Sequence, residues 1–136
     1  MEASGVFVML DATVNTELSD SASSRSGVYL QVNGYGSTDS TMVMYRGATN
    51  VGKELGIVPH RKWQLEFHTE DFPDYEAILS RIGKPLHEAY GMTPLFTLRG
   101  TSEKTVLMTV PIYGPDGHFW GICGYEMRQS YLNLLL

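Results

Sequence analysis

The sequence predicts an α+β fold, a single antiparallel sheet of about five strands flanked by helices. Two observations carry this prediction. Residues 105–127 alternate between two chemically different sets of side chains on either side of a turn, which is the pattern of two paired strands. Strand-like segments also stand near the start of the chain, whereas helical spacing is confined to its middle. A length of 136 residues suits one domain with a sizeable core.

The first third of the chain contains two predicted strands. Residues 6–10 are wholly apolar, and residues 27–33 are β-branched and aromatic in character. Residues 15–26 between them are rich in Ser, Asp and Thr, so they are predicted to form a surface loop.

The next segment mixes strand and helix signals. Residues 41–46 are a further strand candidate, and residues 48–55 have the composition of a short helix that Gly56 ends. In residues 59–68, apolar and aromatic side chains alternate with polar ones, which permits one extended strand.

Helical spacing appears after residue 70. Asp71 is a predicted N-cap, and Pro73 suits the first turn because its missing N–H costs nothing there. Gly83 and Pro85 predict a break, with a second short helix ending at Gly91. Residues 93–99 are a strand candidate. Strands at both ends with helices between them favour an antiparallel sheet over a parallel βαβ alternation.

The last 32 residues begin with the predicted hairpin. Residues 105–113 and 118–127 form its strands, and the turn at 114–117 contains proline, aspartate and glycine. Strict alternation places His118, Trp120, Ile122, Gly124 and Glu126 on one face of the return strand. Cys123 falls on the other face, where we expect a buried thiol that reacts slowly. A helix is expected from about residue 129.

The hairpin resembles a known family. Pro111-Ile112-Tyr113, the turn ending Asp116-Gly117, and Gly121-x-x-Gly124-Tyr125-Glu126-Met127 are similar to the closing hairpin of Cache domains, which are PAS-like extracytoplasmic sensor modules of bacterial receptors. Residues 5–13 resemble the first strand of such domains, and the two stretches cover about a third of the chain. The resemblance implies one Cache or PAS-like sensor domain over residues 1–136, expected to be part of a longer membrane-anchored protein.

The resemblance also implies a function. The expected role is a ligand-sensing domain in signal transduction, on the extracytoplasmic side of the bacterial cell membrane, with a small polar ligand such as an amino acid or organic acid bound between sheet and covering loops. Membrane contact is expected only through flanking segments, and a homodimer is left open. The alternative is a PAS-like dimerisation or spacer module that binds no ligand.

Candidate ligand-binding residues follow from the amino-acid-binding branch of that family, which uses an Arg-x-Trp-Tyr segment and a later carboxylate. Arg61 and Trp63 resemble the segment, and Glu126 stands where the family has aspartate. The sequence departs from the pattern at Gln64, Glu66 and Gly56, which replace a tyrosine, an aspartate and an aromatic residue. The predicted ligand-binding residues are Arg61, Trp63, Glu66, Trp120 and Glu126.

Composition excludes several classes. A net charge of −5 with only 10 Lys and Arg lacks the basic footprint of a nucleic-acid binder. The single cysteine excludes an internal disulfide and a multi-cysteine zinc site. The four histidines lack a metal-binding spacing, and no nucleophile motif occurs, so we expect no metal, no cofactor and no catalysis. The sequence contains no apolar run long enough to span a membrane.

Overall fold

A computed structural model describes residues 4–14, 21–33, 41–72, 75–98 and 104–129. The α+β class is confirmed. The strands are β1 Gly5–Leu10, β2 Ser24–Arg25, β3 Gly27–Asn33, β4 Thr41–Arg46, β5 Val58–Gln64, β6 Phe67–His68, β7 Gly91–Met92, β8 Thr105–Tyr113 and β9 Phe119–Arg128. The helices are α1 Thr49–Leu55, α2 Tyr75–Ser80 and α3 Leu86–Ala89, with single 3-10 turns at Ser21–Ser23 and Thr69–Asp71.

The main sheet has seven strands in the order β5-β4-β3-β1-β9-β8-β7, and β2 pairs with β6 in a separate small sheet. The chain's first and last strands therefore lie side by side in the middle. Every neighbouring pair is antiparallel except β4 and β5. The expectation of about five strands was too low for the described part of the chain, because two more strands extend the sheet on one side.

The predicted hairpin of β8 and β9 is confirmed. The two strands pair antiparallel over their whole length. Gly117 lies at a φ of 84°, a conformation that glycine adopts without steric cost, and its N–H donates to the Gly114 carbonyl at 3.0 Å. The local turn chemistry therefore sufficed to predict this element.

The expectation that no parallel crossover occurs was wrong. β4 and β5 pair in parallel, and α1 connects them. The predicted strand at 41–46 and the predicted helix ended by Gly56 are both present, with Gly56 left-handed at a φ of 70°. A strand, a helix and a returning strand are the parts of a parallel crossover. Their sequence signals were each recognised, but their pairing was not.

The predicted single strand over residues 59–68 is divided. β5 ends at Gln64, and the chain bends at Leu65 and Glu66 before β6 begins. Leu65 is 41% exposed, whereas Glu66 is buried. Strict alternation placed Leu65 with the apolar side chains and Glu66 with the polar ones. The bend reverses this, because the carboxylate of the buried Glu66 accepts hydrogen bonds from neighbouring groups.

The helical region is confirmed in outline. α2 and α3 are separated by a break that contains Gly83, at a φ of 87°, and Pro85. Asp71 belongs to the 3-10 turn that precedes α2, where its carboxylate accepts the His68 N–H at 3.0 Å, and its predicted capping role falls on residues 73–74, outside the described residues. The predicted strand at 93–99 is also wrong within residues 93–98, because only Phe96 makes a strand-like bridge, to Thr105.

The core lies on one face of the main sheet, called here the inner face. It is formed by inward side chains of the sheet and by a cover that consists of residues 67–72 and α2. The core side chains are Phe7, Met9, Tyr29, Tyr45, Phe67, Phe72, Ile78, Leu98, Leu107 and Ile122. Rings of Phe7, Phe67 and Phe72 lie 5.6–5.7 Å apart between successive centroids, so the cover is held to the sheet by aromatic packing.

The opposite, outer face is partly open. Val6, Val8 and Leu10 alternate with the buried residues of β1 and are exposed. α1 lies over this face near Met44, whose Cε is 3.4 Å from the place of a β-carbon on Gly52. Cys123 also faces outward and is half-buried, and burial raises the pKa of its thiol. Its slow reaction remains a prediction.

The predicted loop at 15–26, the strand at 93–99 and the helix from about 129 extend beyond the described residues. Of the loop, residues 21–25 form a 3-10 turn and β2. Residues 15–20, residue 99 and residues 130–136 lie outside the described part, as does Pro73.

Candidate functional site

A carboxylate stands in the middle of the core. Glu126 is on β9, opposite Gly5 of β1 and Leu107 of β8, and it is fully buried. A β-carbon on Gly5 would lie 3.3 Å from Glu126 Oε1 and 2.7 Å from the Leu30 carbonyl oxygen. Glycine at position 5 therefore leaves the room that the carboxylate occupies.

Three neutral side chains donate hydrogen bonds to Glu126. The Ser4 hydroxyl donates at 2.7 Å, and the Gln31 amide nitrogen lies 2.9 Å from both carboxylate oxygens. The Tyr29 hydroxyl donates to Oε2. The Arg128 Nε lies 3.9 Å from Oε1 and adds a cation at the margin. The three neutral donors come from two segments, Ser4 and β3, that are both far from Glu126 in sequence, so only the folded sheet brings them to it.

Tyr29 remains a hydrogen-bond donor in this setting. Burial raises the pKa of its hydroxyl well above 10, and the nearby negative charge of Glu126 raises it further. The charges of Arg46 and Arg128 lower this pKa, but their effect is smaller. The phenol therefore keeps its proton at physiological pH.

A second charged group lies on the same face. Arg46 of β4 is opposite Tyr29 and is fully buried, and its Nη2 lies 3.4 Å from Asp71 Oδ2. Its Nη1 donates to the Tyr45 carbonyl at 2.9 Å. Because Asp71 belongs to the cover, this ion pair fastens the cover to the sheet beside the Glu126 cluster.

Glu66 forms a separate polar cluster at the edge of the domain. Its Oε1 accepts from the hydroxyls of Thr13 and Ser24, and its Oε2 accepts from the Ser26 hydroxyl and the Val14 N–H. Burial by itself would raise the pKa of Glu66, but these four hydrogen bonds to the ionised form outweigh it and lower the pKa to about 2.

The structure separates the predicted site residues. Arg61 is exposed on β5, and three strands lie between β5 and β9, which carries Glu126. At the usual spacing of neighbouring strands this is about 19 Å. The charges of Arg61 and Glu126 both act on the pKa of the Tyr45 hydroxyl, which burial raises. Tyr45 of β4 packs against β5, where its ring stacks on His60 at 4.4 Å between centroids.

The predicted tryptophans have different surroundings. Trp63 is half-buried, and its Nε1 donates to the Gly47 carbonyl at 2.7 Å. Trp120 is 52% exposed and packs over Gly114. The expectation that Trp120 shares a face with Glu126 was wrong, because an irregularity in the β8–β9 register leaves Trp120 as the extra residue of β9. Phe119 packs against the core instead.

Sequence reasoning missed Tyr29, Gln31, Arg46 and Ser4. A signal for two of them was present, since Gln31 and Arg46 are polar residues within otherwise apolar strand segments. Such residues are costly to bury without partners, so they mark places where polar groups meet. Their actual partners could not be read from spacing.

No group of three or more His, Cys, Asp or Glu side chains that could hold a metal occurs in the part of the chain that the structure describes. Among the same residues, no helix is both long and apolar enough to cross a membrane. No protein-family model, no curated protein and no solved structure matches this chain.

Proposed function

We propose that this chain is a PAS-like sensor domain that binds a small polar molecule between its sheet and cover, as the extracytoplasmic part of a bacterial signal-transduction receptor. One observation carries the proposal. Glu126, Tyr29, Gln31, Arg46 and Asp71 converge on the inner face and are all buried. Burying ions costs several kcal/mol each, whereas apolar residues of similar volume are often at least as stable. A polar interior therefore favours recognition over simple packing.

The architecture supports the PAS-like part of the proposal. Five neighbouring strands, β3-β1-β9-β8-β7, are antiparallel throughout, and α2 packs on their inner face through Ile78. This agrees with the sheet and covering helices that the Cache resemblance of the β8–β9 hairpin implies. β4, α1 and β5 are then an extension of that unit.

The chemistry suits a zwitterion or another small polar molecule. Glu126 would accept an ammonium or amide N–H in exchange for one of its protein donors. Arg128 or Arg46, the cations nearest to this cluster, would bind a carboxylate, since arginine pairs with carboxylates through two parallel hydrogen bonds. Arg61 and Trp63 lie on β5, about 19 Å from the strand of Glu126 at the usual strand spacing, which is too far for them to contact the same small ligand. An amino acid or organic acid remains the proposed ligand class.

The test is a thermal-shift screen of amino acids, organic acids, amines and purines. A ligand at a hundred times its dissociation constant should add about 2.7 kcal/mol to the free energy of unfolding. Glu126→Gln should abolish the rise in melting temperature, and Glu70→Gln, at an exposed carboxylate, is the control for charge. Arg61→Ala and the neighbouring Lys62→Ala, both exposed on the distant edge strand β5, should leave the rise unchanged.

A ligand that binds Glu126→Gln as well as the parent would remove this cluster from the site. If Glu126→Gln binds no ligand because it does not fold, Gln31→Leu gives a second test, since it removes one donor without removing the charge.

The spacer module is the second candidate. It is favoured by the same cluster, because Ser4, Tyr29 and Gln31 already supply hydrogen bonds to both oxygens of Glu126. This candidate predicts that no compound in the screen raises the melting temperature and that Glu126→Gln lowers it without any ligand.

A further inference from the structure

A pocket of about 230 Å³ lies at the edge of the domain, away from the Glu126 cluster. It is lined by the loop after β1, the start of β3, the start of α1 and the bend between β5 and β6. Its walls are mostly apolar, from Val14, Val28, Ala48, Val51 and Leu65. The exceptions are Ser26 and Glu66, which place a hydroxyl and a carboxylate in an otherwise apolar lining.

The carboxylate is firmly positioned. Glu66 is buried, and the hydrogen bonds from Thr13, Val14, Ser24 and Ser26 fix both of its oxygens. The same bonds keep it ionised at neutral pH, where its pKa of about 2 leaves it negative. The pocket therefore has a fixed negative charge that needs no reorganisation when a ligand arrives.

The hydroxyl of Ser26 supplies the acceptor that a ligand can reach. Its proton is donated to Glu66 Oε2, so the lone pairs of the serine oxygen remain available. A cation that donates a hydrogen bond to this oxygen would be separated from the Glu66 carboxylate only by the Ser26 hydroxyl group. Apolar walls lower the local dielectric constant, which strengthens that attraction relative to water.

We propose that this pocket binds a small organic ammonium ion, whose nitrogen donates to the Ser26 hydroxyl oxygen beside the Glu66 carboxylate and whose apolar substituent packs against Val14, Val28 and Val51. An anion would be repelled by Glu66, and a neutral alcohol would gain only the apolar contacts. The volume is below the roughly 300–1,000 Å³ of sites for drug-sized ligands, so the occupant is a small amine. The inference does not depend on the proposed sensor function, which concerns a different face of the sheet.

The experiment is a titration of the isotope-labelled protein with n-butylammonium chloride, followed by amide chemical shifts. Sodium butyrate and n-butanol are the matched probes, at the same pH and ionic strength. Saturable shifts at the amides of Val14, Gly27 and Val51 are expected with butylammonium, and only weak ones with the other two. No saturable shift there, or equal shifts with butanol, would overturn the proposal.

Three variants separate the charge from the cavity. Glu66→Gln should weaken butylammonium binding at least about tenfold, as expected for loss of a hydrogen-bonding charge. Val51→Trp should fill the pocket and block binding while the carboxylate is retained. Glu54→Gln, at an exposed position of the same helix, should bind as the parent does.

Because Glu66→Gln removes bonds between three segments, its fold is checked by circular dichroism. If it does not fold, Val51→Trp decides the question. Parent-like binding by Val51→Trp contradicts the proposal. The same holds for a folded Glu66→Gln that binds butylammonium as tightly as the parent.

Discussion

Glu66 illustrates how neutral groups can hold a buried charge. Three hydroxyls and one backbone N–H surround its carboxylate, and each can donate without bringing a compensating charge of its own. Hydrogen bonds to the ionised form are worth roughly 1.5–3 kcal/mol each when one partner is charged. Thr13, Ser24 and Ser26 thereby tie the loop after β1 and the start of β3 to the bend that carries Glu66.

The pH dependence of stability follows from this arrangement. The pKa of Glu66 is about 2 in the folded protein and near 4.5 when the group is unperturbed. Its contribution to the free energy of unfolding is therefore complete above about pH 4.5 and is lost as the pH falls toward 2. We expect urea unfolding to show this loss in the parent and a flatter acid dependence in Glu66→Gln. The exposed Glu70→Gln should keep the slope of the parent, and equal slopes in all three proteins would contradict the assignment.

At the scale of elements, the Arg46–Asp71 pair joins β4 to the cover. Breaking a buried ion pair by removing one partner typically costs about 3–5 kcal/mol, because the other charge is left buried. Arg46→Met should therefore lower the free energy of unfolding by about that amount. The double variant Arg46→Met, Asp71→Asn should cost less than the sum of the single changes by at least about 1 kcal/mol.

Arg25 and Asp11 provide the matched control for that cycle. Their closest atoms are also 3.4 Å apart, but the side chains are 19% and 45% exposed. An exposed pair contributes about 0–1 kcal/mol, so Asp11→Asn should change stability little. If both pairs gave the same small coupling in a double-mutant cycle, the ion pair would not be what fastens the cover.

The strand β1 allows a test of the two sheet faces within one element. Phe7 points to the core and contacts the aromatic rings of Tyr29 and Phe72, whereas its neighbour Val8 is 38% exposed on the outer face. Phe7→Ala should cost about 3–5 kcal/mol in chemical unfolding, through lost burial and a residual cavity. Val8→Thr should change stability by less than about 1 kcal/mol. Comparable losses in the two variants would mean that the outer face is also covered.

At the scale of the whole molecule, stability should be graded across the sheet. β1 and β9 have a strand on each side and lie over the aromatic core, so their amides should exchange hydrogen only on global unfolding. β5 is an edge strand with an irregular pairing, and α3 has only four residues. Amides in both should exchange through local opening at lower free energy. Hydrogen exchange measured by mass spectrometry checks this order, and faster exchange in β9 than in β5 would contradict it.

The sequence by itself determined the elements whose signals are local. A wholly apolar run predicted β1, and β-branched and aromatic composition predicted β3. Alternation predicted the β8–β9 hairpin, and Asp116 and Gly117 predicted its turn. Gly56, Gly83 and Pro85 predicted where helices end. Each of these features depends on residues within one turn or one strand of each other, so a short window of sequence contains the relevant interactions.

Only the tertiary structure decided which residues meet. Glu126 was predicted as a site residue, but its donors Ser4, Tyr29 and Gln31 lie 122, 97 and 95 positions away in the chain. No spacing rule can bring them together, because their contact depends on β1 and β3 lying beside β9. The exposure of Trp120 and the parallel pairing of β4 and β5 likewise depend on how strands pair in the folded sheet. Strand order and register are set by the burial of a whole sheet face, whereas a short window of sequence contains only one strand of that sheet.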